Sequence, residues 1–517
     1  MIKKAANLFT TAYLLIIFCV YPFYLRSGYL DIGEAKNEFF LLVSFASVGI
    51  MSVCGFLLLL EKFFRKDSGR EAYLIDWDKV SSTDLFVLLY ATSVFMSFVF
   101  TEYREEAFWG TEGWYIGFVL LILLCCLYFF ISRMWDGDRK VFYALMVSSA
   151  LVFLLGICNR FSVYPIKFEV TQPDFISTLG NINWYCGFLS VVAPVGIGLF
   201  VFGNEITAVK KGLSGLYAVI AFMSGFAQGS SSIFLWFGAL FFMLLWISPE
   251  KREWIVNWLY LLVLWGASAQ LVRLLRHILP GAYNYDLNNL CGYCTDSSFT
   301  LWIAFGGIIL LLAIKKWKIK EPDGNSIRKI RTALLLLISA LILAWIITAI
   351  LFTGRGIPLP EDKAVFRELF YLDENWGNGR GAAILAGFQT FKEMPFLHKL
   401  IGVGPDCFSQ YAYSLPEVAE GLRSSFGSSR LTNVHNELFT ALLNTGVLGV
   451  SFYIGIFVSF VKGCMKKGKE NPALYVFVTC IICYFAHNMI SFAQILNLPF
   501  LFILLGMGEA VRRRIKE

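Results

Sequence analysis

Two residues in this chain have the chemistry and the setting for a reaction. His435 lies in "LTNVHNELFTALLNTGVLGV" (431–450), where a polar stretch gives way to an apolar run, and it is one of only four histidines. An imidazole there can take a proton from a hydroxyl, provided it stays neutral. Thr432 or Asn433 reads as the helix N-cap, which places His435 in the first turn of a helix over 434–461. The positive end of the helix dipole disfavours imidazolium at that position. Arg380 opens "NGRGAAILAGFQTFKEM" (378–394). A cation at a helix start is electrostatically disfavoured, so Arg380 either points away or meets an anion. Its planar fork of donors suits phosphate oxygens.

Other polar groups read more plainly. Glu437 suits a first-turn dipole partner, and His487 in "FAHNMISFAQ" lies near a span end beside polar neighbours. His277 and His398 read as surface residues. Asp76 and Asp78 in "IDWDK" have the D-x-D spacing of metal–nucleotide-sugar sites, but the loop is short and carries lysine, so solvated charges fit better. "IGVGPDCF" (401–408) lacks the spacing of a nucleotide-binding glycine loop and reads as a turn. Cys291 and Cys294 lie in a loop where a disulfide and two free thiols are equally open. No second ligand pair accompanies them, so no metal site is expected.

The elements that must hold these groups are membrane helices. Hydrophobic residues make up 57% of the 517 positions and charged residues only 16%, against about 25% charged in soluble domains; mean hydropathy is +0.64. The fold class is therefore an all-α polytopic membrane protein. Apolar runs of spanning length fall near 8–25, 39–60, 84–101, 113–132, 140–158, 182–203, twice within 212–247, and near 254–272, 298–315, 332–352, 434–461, 472–490 and 494–511, about fourteen transmembrane helices. The first is followed by further spans and lacks a small-residue cleavage site, so it reads as a helix and not a removed signal.

Lys/Arg clusters at Lys3/Lys4, Lys62/Arg65/Lys66/Arg70, Arg133/Arg139/Lys140, Lys210/Lys211, Lys251/Arg252, Lys315 to Arg331, Lys466/Lys467/Lys469 and Arg512/Arg513/Arg514 fall on alternate turns. By the positive-inside rule these turns and both termini face the cytoplasm. The chain then divides into a bundle (1–352), an external loop or cap (353–433) before the last three helices, and C-terminal helices (434–517).

An exporter or flippase needs ionisable groups near the bilayer midplane, and no Lys, Arg, Asp or Glu occupies a span centre. Polar chemistry gathers instead in the external segment. Its eight Lys/Arg against nine Asp/Glu make no basic patch for nucleic acid. A connection that long implies function or a small folded cap. Ile384, Leu385, Phe388 and Phe391, opposite Gln389, Lys392 and Glu393, predict an amphipathic helix along the membrane surface. The whole pattern favours an enzyme acting on a lipid-linked substrate.

The GR-led helix, then "MPFLHKLIGVGPDCF", then "VHNELFTALLNTGVLGVSFYIGIF" resembles the signature region of the O-antigen ligase family, which includes polysaccharide polymerases. "AFWGTEGWYIGFVLL" (107–121) and "TLGNINWYCGFLSVVAPVGIGL" (178–199) resemble weaker segments of the family. The likeness is specific over 378–450 and loose elsewhere. It implies the architecture of the large helical lipid-linked glycosyltransferases in the cytoplasmic membrane. It also implies transfer of a glycan from polyprenyl pyrophosphate to an acceptor hydroxyl outside, without nucleotide sugar, metal or cofactor. The acceptor is lipid A core in lipopolysaccharide, a protein or the wall for a ligase, and another lipid-linked repeat for a polymerase.

Arg380 and His435 take the places of the family's loop arginine and histidine. Arg355, Arg367, Arg423 and Arg430 are candidate helpers on the pyrophosphate, with Arg160, Arg273 and Arg276 near outward span ends and His487 behind. The family's second arginine should fall in "FAQGSSSIFLW" (226–236), which has Gly229, Ser230, Ser231 and Ser232 and no arginine.

Overall fold

The computed structural model describes residues 1–64, 80–168, 170–203, 207–286, 288–317, 320–355 and 364–515. Arg65, Lys66, Arg70, Asp76, Asp78 and Lys318 lie outside the described residues. The molecule is an all-α polytopic membrane protein. A helix occupies each apolar run: Ile2–Cys19, Ile32–Phe64, Ser82–Phe100, Phe118–Met134, Lys140–Arg160, Ile182–Phe202, Ala208–Ala227, Ile233–Ile247, Arg252–Ile278, Phe299–Lys316, Gly324–Arg355, Glu437–Lys467, Ala473–Asn488 and Leu498–Arg513. Ten helices among the described residues are long and apolar enough to cross a bilayer. One two-stranded antiparallel ribbon, Phe175–Ile176 with Gly180–Asn181, is the sheet among them.

Hydropathy does not rank these helices from centre to edge. The Gly324–Arg355 helix is almost bare, whereas Ile182–Phe202 is almost wholly buried. Lipid tails are as apolar as a protein interior, so small residues that permit close approach decide which helix sits inside. Ile182–Phe202 carries Gly187, Ser190, Ala193, Gly196 and Gly198, and Gly198 lies against Val476 of the Ala473–Asn488 helix.

Two boundaries differ from the apolar runs. The second helix begins at Ile32 and not near 39, and it takes in the fully buried Lys36. Its Nζ donates to the carbonyls of Tyr21 (2.7 Å) and Pro22 (2.8 Å), so the amine has protein partners inside the bundle. The run at 113–132 becomes a helix only from Phe118. Before it, Gly110, Gly113 and Tyr115 take left-handed backbone angles.

Arginines from three of the Lys/Arg clusters meet acids near the same helix ends, and one asparagine does so too. Asp84 meets Arg133 (3.1 Å) and Arg513, Arg331 meets Glu250 (2.8 Å), and Asn7 meets Asp136 (2.7 Å). Every one of these contacts joins positions that the charge pattern puts on the same side.

The segment before the last three long helices folds as five short ones: Ala364–Phe370, Trp376–Glu393, Phe396–Ile401, Phe408–Ser414 and Pro416–Phe426. They enclose a small core of their own, with Ala383, Ala386, Met394, Phe408, Ala412, Val418, Leu422 and Val434. The Trp376–Glu393 helix docks through Ala382, Ala383, Ala386, Gly387 and Thr390. Leu385 and Phe388 stay exposed, whereas Phe391 packs against the cap core.

"IGVGPDCF" does more than turn the chain. The Glu437–Lys467 helix breaks at Gly446, whose φ is 69°. The N–H groups of Val403 and Gly404 take up the carbonyls of Leu443 and Asn444 exposed there (3.1 Å each). Gly402 and Gly446 pass so close to the opposing backbone that a Cβ on either would overlap it.

Candidate functional site

His435 does not lie in the first helical turn. The N-cap is Asn436, whose side chain accepts from Phe439 N (2.9 Å) and donates to Met489 O (2.9 Å). Asn433 instead accepts from the His435 N–H (3.0 Å), and Thr432 accepts from Trp114 Nε1 (2.8 Å). His435 therefore precedes the helix in a left-handed conformation, φ 52°, which is uncommon for a non-glycine residue. Its ring stands edge-on against Phe492, with centroids 5.3 Å apart. Burial first, and then the charge of Arg380, push its pKa down to about 4. The ring is neutral at physiological pH, and it is burial more than a helix dipole that makes it so.

Gly377, Asn378 and Gly379 are all left-handed, and the right-handed helix starts at Arg380. The Arg380 guanidinium is tethered by Nε to Ile490 O (2.9 Å) and by Nη1 to Gly377 O (2.9 Å). Burial lowers its pKa and the charge of Glu368 raises it; a guanidinium remains protonated regardless. Gly381 is required because the Asp373 carbonyl occupies the place of a Cβ.

His435 and Arg380 line one cavity of about 450 Å³. Arg367, Glu368, Asp373, Trp376, Asn183, Ser230, Ser231 and Tyr285 share its wall. Five separate stretches of chain thus meet there: the start of the Ile182–Phe202 helix, the serine turn, Tyr285 with Asn288 and Asn289, the cap, and His435 ahead of the Glu437–Lys467 helix. The serine turn that departs from the resembled pattern does reach the site.

Not every candidate does. Arg423 is exposed on the Pro416–Phe426 helix, and Arg430 is held by Ser409 Oγ (2.9 Å) and the Tyr413 ring; neither lines the cavity. Arg355 ends its helix, and its side chain lies outside the described residues. Arg273 and Arg276 are also off the wall, and Arg276 pairs with Asp296 (2.7 Å). Arg160 is fully buried behind the wall. Its donors serve Gln228 O (Nε, 3.0 Å), Pro173 O (2.5 Å) and Asn284 Oδ1 (3.4 Å), and it stacks on Tyr285.

His487 is fully buried and does not line the cavity. Its Nδ1 pairs with Asn488 Oδ1 (2.9 Å). Asn488 in turn donates to Glu437, which also accepts from Tyr453 (2.5 Å) and Tyr484 (2.7 Å). Glu437 is thus a buried, three-donor carboxyl group and more than a dipole partner. It shares a second cavity of about 60 Å³ with Asp406, Asn433, Trp114 and Phe492. Burial pushes Asp406 up to about 7, although Thr111 N (2.8 Å) and Ile116 N (3.1 Å) both donate to it.

Glu368 escaped sequence reasoning. It follows Arg367 in a segment where charges are frequent, and no spacing marks it. Burial raises its pKa, against the Ser231 hydrogen bond and the Arg380 charge. Cys291 and Cys294 are free and buried. Among the described residues no cluster of three His, Cys, Asp or Glu could hold a metal ion. No known family model matches the chain, and no curated protein matches it.

Proposed function

We propose that the chain is an integral-membrane glycosyltransferase of the O-antigen ligase type. It moves a glycan from polyprenyl pyrophosphate to an acceptor hydroxyl at the outer face of the cytoplasmic membrane. One observation carries the reading: Arg380 and His435, 55 positions apart in the chain, line the same polar cavity with Arg367. All the segments around that cavity belong to turns that the Lys/Arg pattern assigns outward. Fourteen spans with both termini cytoplasmic account for that pattern.

In the reaction the acceptor oxygen bonds to the anomeric carbon as the bond from that carbon to the diphosphate oxygen breaks. The hydroxyl proton passes to the neutral His435 ring, a step worth roughly 10²–10⁴-fold in rate. The departing diphosphate keeps the electron pair, and Arg380 and Arg367 offset its charge. Diphosphate bound on Arg380 also cancels one cause of the low His435 pKa, so the base strengthens when donor is present.

Buried ionisable groups give the exporter reading little support. Lys36, Asp84, Arg160, Glu437 and Glu509 are buried, and all lie toward helix ends. Reconstituted protein with lipid-linked glycan and candidate acceptors tests the proposal. Glycan joining should be lost in His435→Ala and Arg380→Ala, and normal transfer by both variants would overturn it. Lipid-linked or glycan acceptor preference in the same assay separates polymerase from ligase.

A further inference from the structure

The turn that lacks the expected arginine hydrogen-bonds an acid from the cap, Glu368 of the Ala364–Phe370 helix. Ser231 Oγ accepts from the Leu290 N–H (3.3 Å) and donates to Glu368 Oε2 (3.1 Å). A hydroxyl has one proton, so the backbone donor fixes its direction toward the carboxylate. Ser230 Oγ likewise donates to Asn183 Oδ1 (2.9 Å). Arg160 spends its donors on the carbonyls of Gln228 and Pro173 and on Asn284, and it does not line the cavity. The cavity wall therefore mixes guanidinium on Arg380 and Arg367 with carboxyl groups on Asp373 and Glu368, serine hydroxyls and a carboxamide. A diphosphate is repelled by the Glu368 carboxylate. Neutral hydroxyl donors are attracted to it, because an ionised carboxylate is acceptor-only and makes strong charge-assisted hydrogen bonds.

We propose that Glu368, oriented by Ser231, is a sugar-hydroxyl ligand of this cavity and sets which glycan sits beside the diphosphate. The inference rests on the glycosyl-transfer reading above. Glu368 touches the sugar and does not take the reacting proton; Ser231 is a positioning residue.

Glu368→Gln is nearly isosteric and reverses the polarity of the exposed face. Ser231 still donates to the amide oxygen, which turns the amide N–H₂ toward the cavity where an acceptor stood. The test uses the full-length protein in nanodiscs, with glycan-bearing polyprenyl pyrophosphate, acceptor, and bare polyprenyl pyrophosphate as a competing probe. Glu368→Gln should raise one KM by about 10- to 100-fold, the cost of a hydrogen bond to a charged group, while kcat stays within about threefold. A raised donor KM assigns the contact to the donor sugar, and a raised acceptor KM assigns it to the acceptor sugar. Inhibition by bare polyprenyl pyrophosphate should be unchanged or tighter, since a nearby negative charge has gone. Ser231→Ala should move the same KM by a smaller factor.

Both KM values unchanged would overturn the inference. So would weaker binding of the bare diphosphate together with a fall in kcat, because that outcome makes Glu368 only the counter-ion of Arg380. Wild-type protein that joins no glycan defeats the underlying reading instead, which separates the two failures.

Discussion

The neutral state of His435 is the sharpest quantity the site offers. Its pKa is pushed from an ordinary 6.5 down to about 4, by burial first and by the charge of Arg380 second. That move corresponds to about 3.4 kcal/mol against the imidazolium. At pH 7 about one ring in a thousand is protonated, against about a quarter for a free imidazole. The acid limb of kcat/KM, which reports the free enzyme, should therefore lie near pH 4. Arg380→Gln removes the smaller cause and leaves the larger, so the His435 pKa should rise yet stay below 6.5. With four histidines in the chain, carbon-labelled histidine spectra in nanodiscs can be assigned by one substitution each. The titration of His435 is then read directly in wild type and in Arg380→Gln. A wild-type ring that titrates near 6.5 would refute its burial in the site. An Arg380→Gln variant whose ring titrates as in wild type would show that the guanidinium does not reach the imidazole, and the shared cavity would lose its meaning.

Four further outcomes follow from the geometry. His435→Ala should lower kcat by roughly 10²–10⁴-fold with little change in donor KM, measured by steady-state transfer. Arg367→Gln should weaken donor binding about tenfold or more, whereas Arg423→Gln and Arg430→Gln, whose side chains lie off the cavity, should transfer normally. For Asp406, the folded pKa of about 7 lies above the ordinary 3.8, so the stability it contributes is full below about pH 4 and lost as pH rises through 7. The limit is about 4 kcal/mol. Asp406→Asn keeps an acceptor for Thr111 and Ile116 and should flatten the change in melting temperature between pH 5 and pH 8. Gly446→Ala places a Cβ against the Leu400–Ile401 backbone at a positive φ, so it should lower the melting temperature and release the cap to proteolysis.

Much of this was legible in the chain. Composition alone makes the protein a membrane bundle, since no soluble fold buries so much apolar sequence with so few charges. The apolar runs locate the helices because a span in lipid must satisfy its own backbone hydrogen bonds. The edges were less legible. The apolar run from 39 leaves Lys36 outside the span, whereas the helix begins at Ile32 and two carbonyls satisfy that amine; Thr432 or Asn433 reads as the cap, and Asn436 takes that place. A cap depends on backbone angles at one residue, and a left-handed His435 leaves no mark in the sequence.

The sequence by itself determined the class and the alternation of charge along the chain, and it singled out a histidine and an arginine as candidates. Each is a local property, carried by the residue types within one span or one motif. Tertiary structure alone decided that Arg367 joins them in one cavity while Arg423 and Arg430 do not, that the serine turn meets Glu368 of the cap, and that a small-residue helix is buried while the barest apolar one lies outside. Those outcomes depend on which distant surfaces fit closely enough to exclude lipid and water, a relation among segments that no single segment encodes.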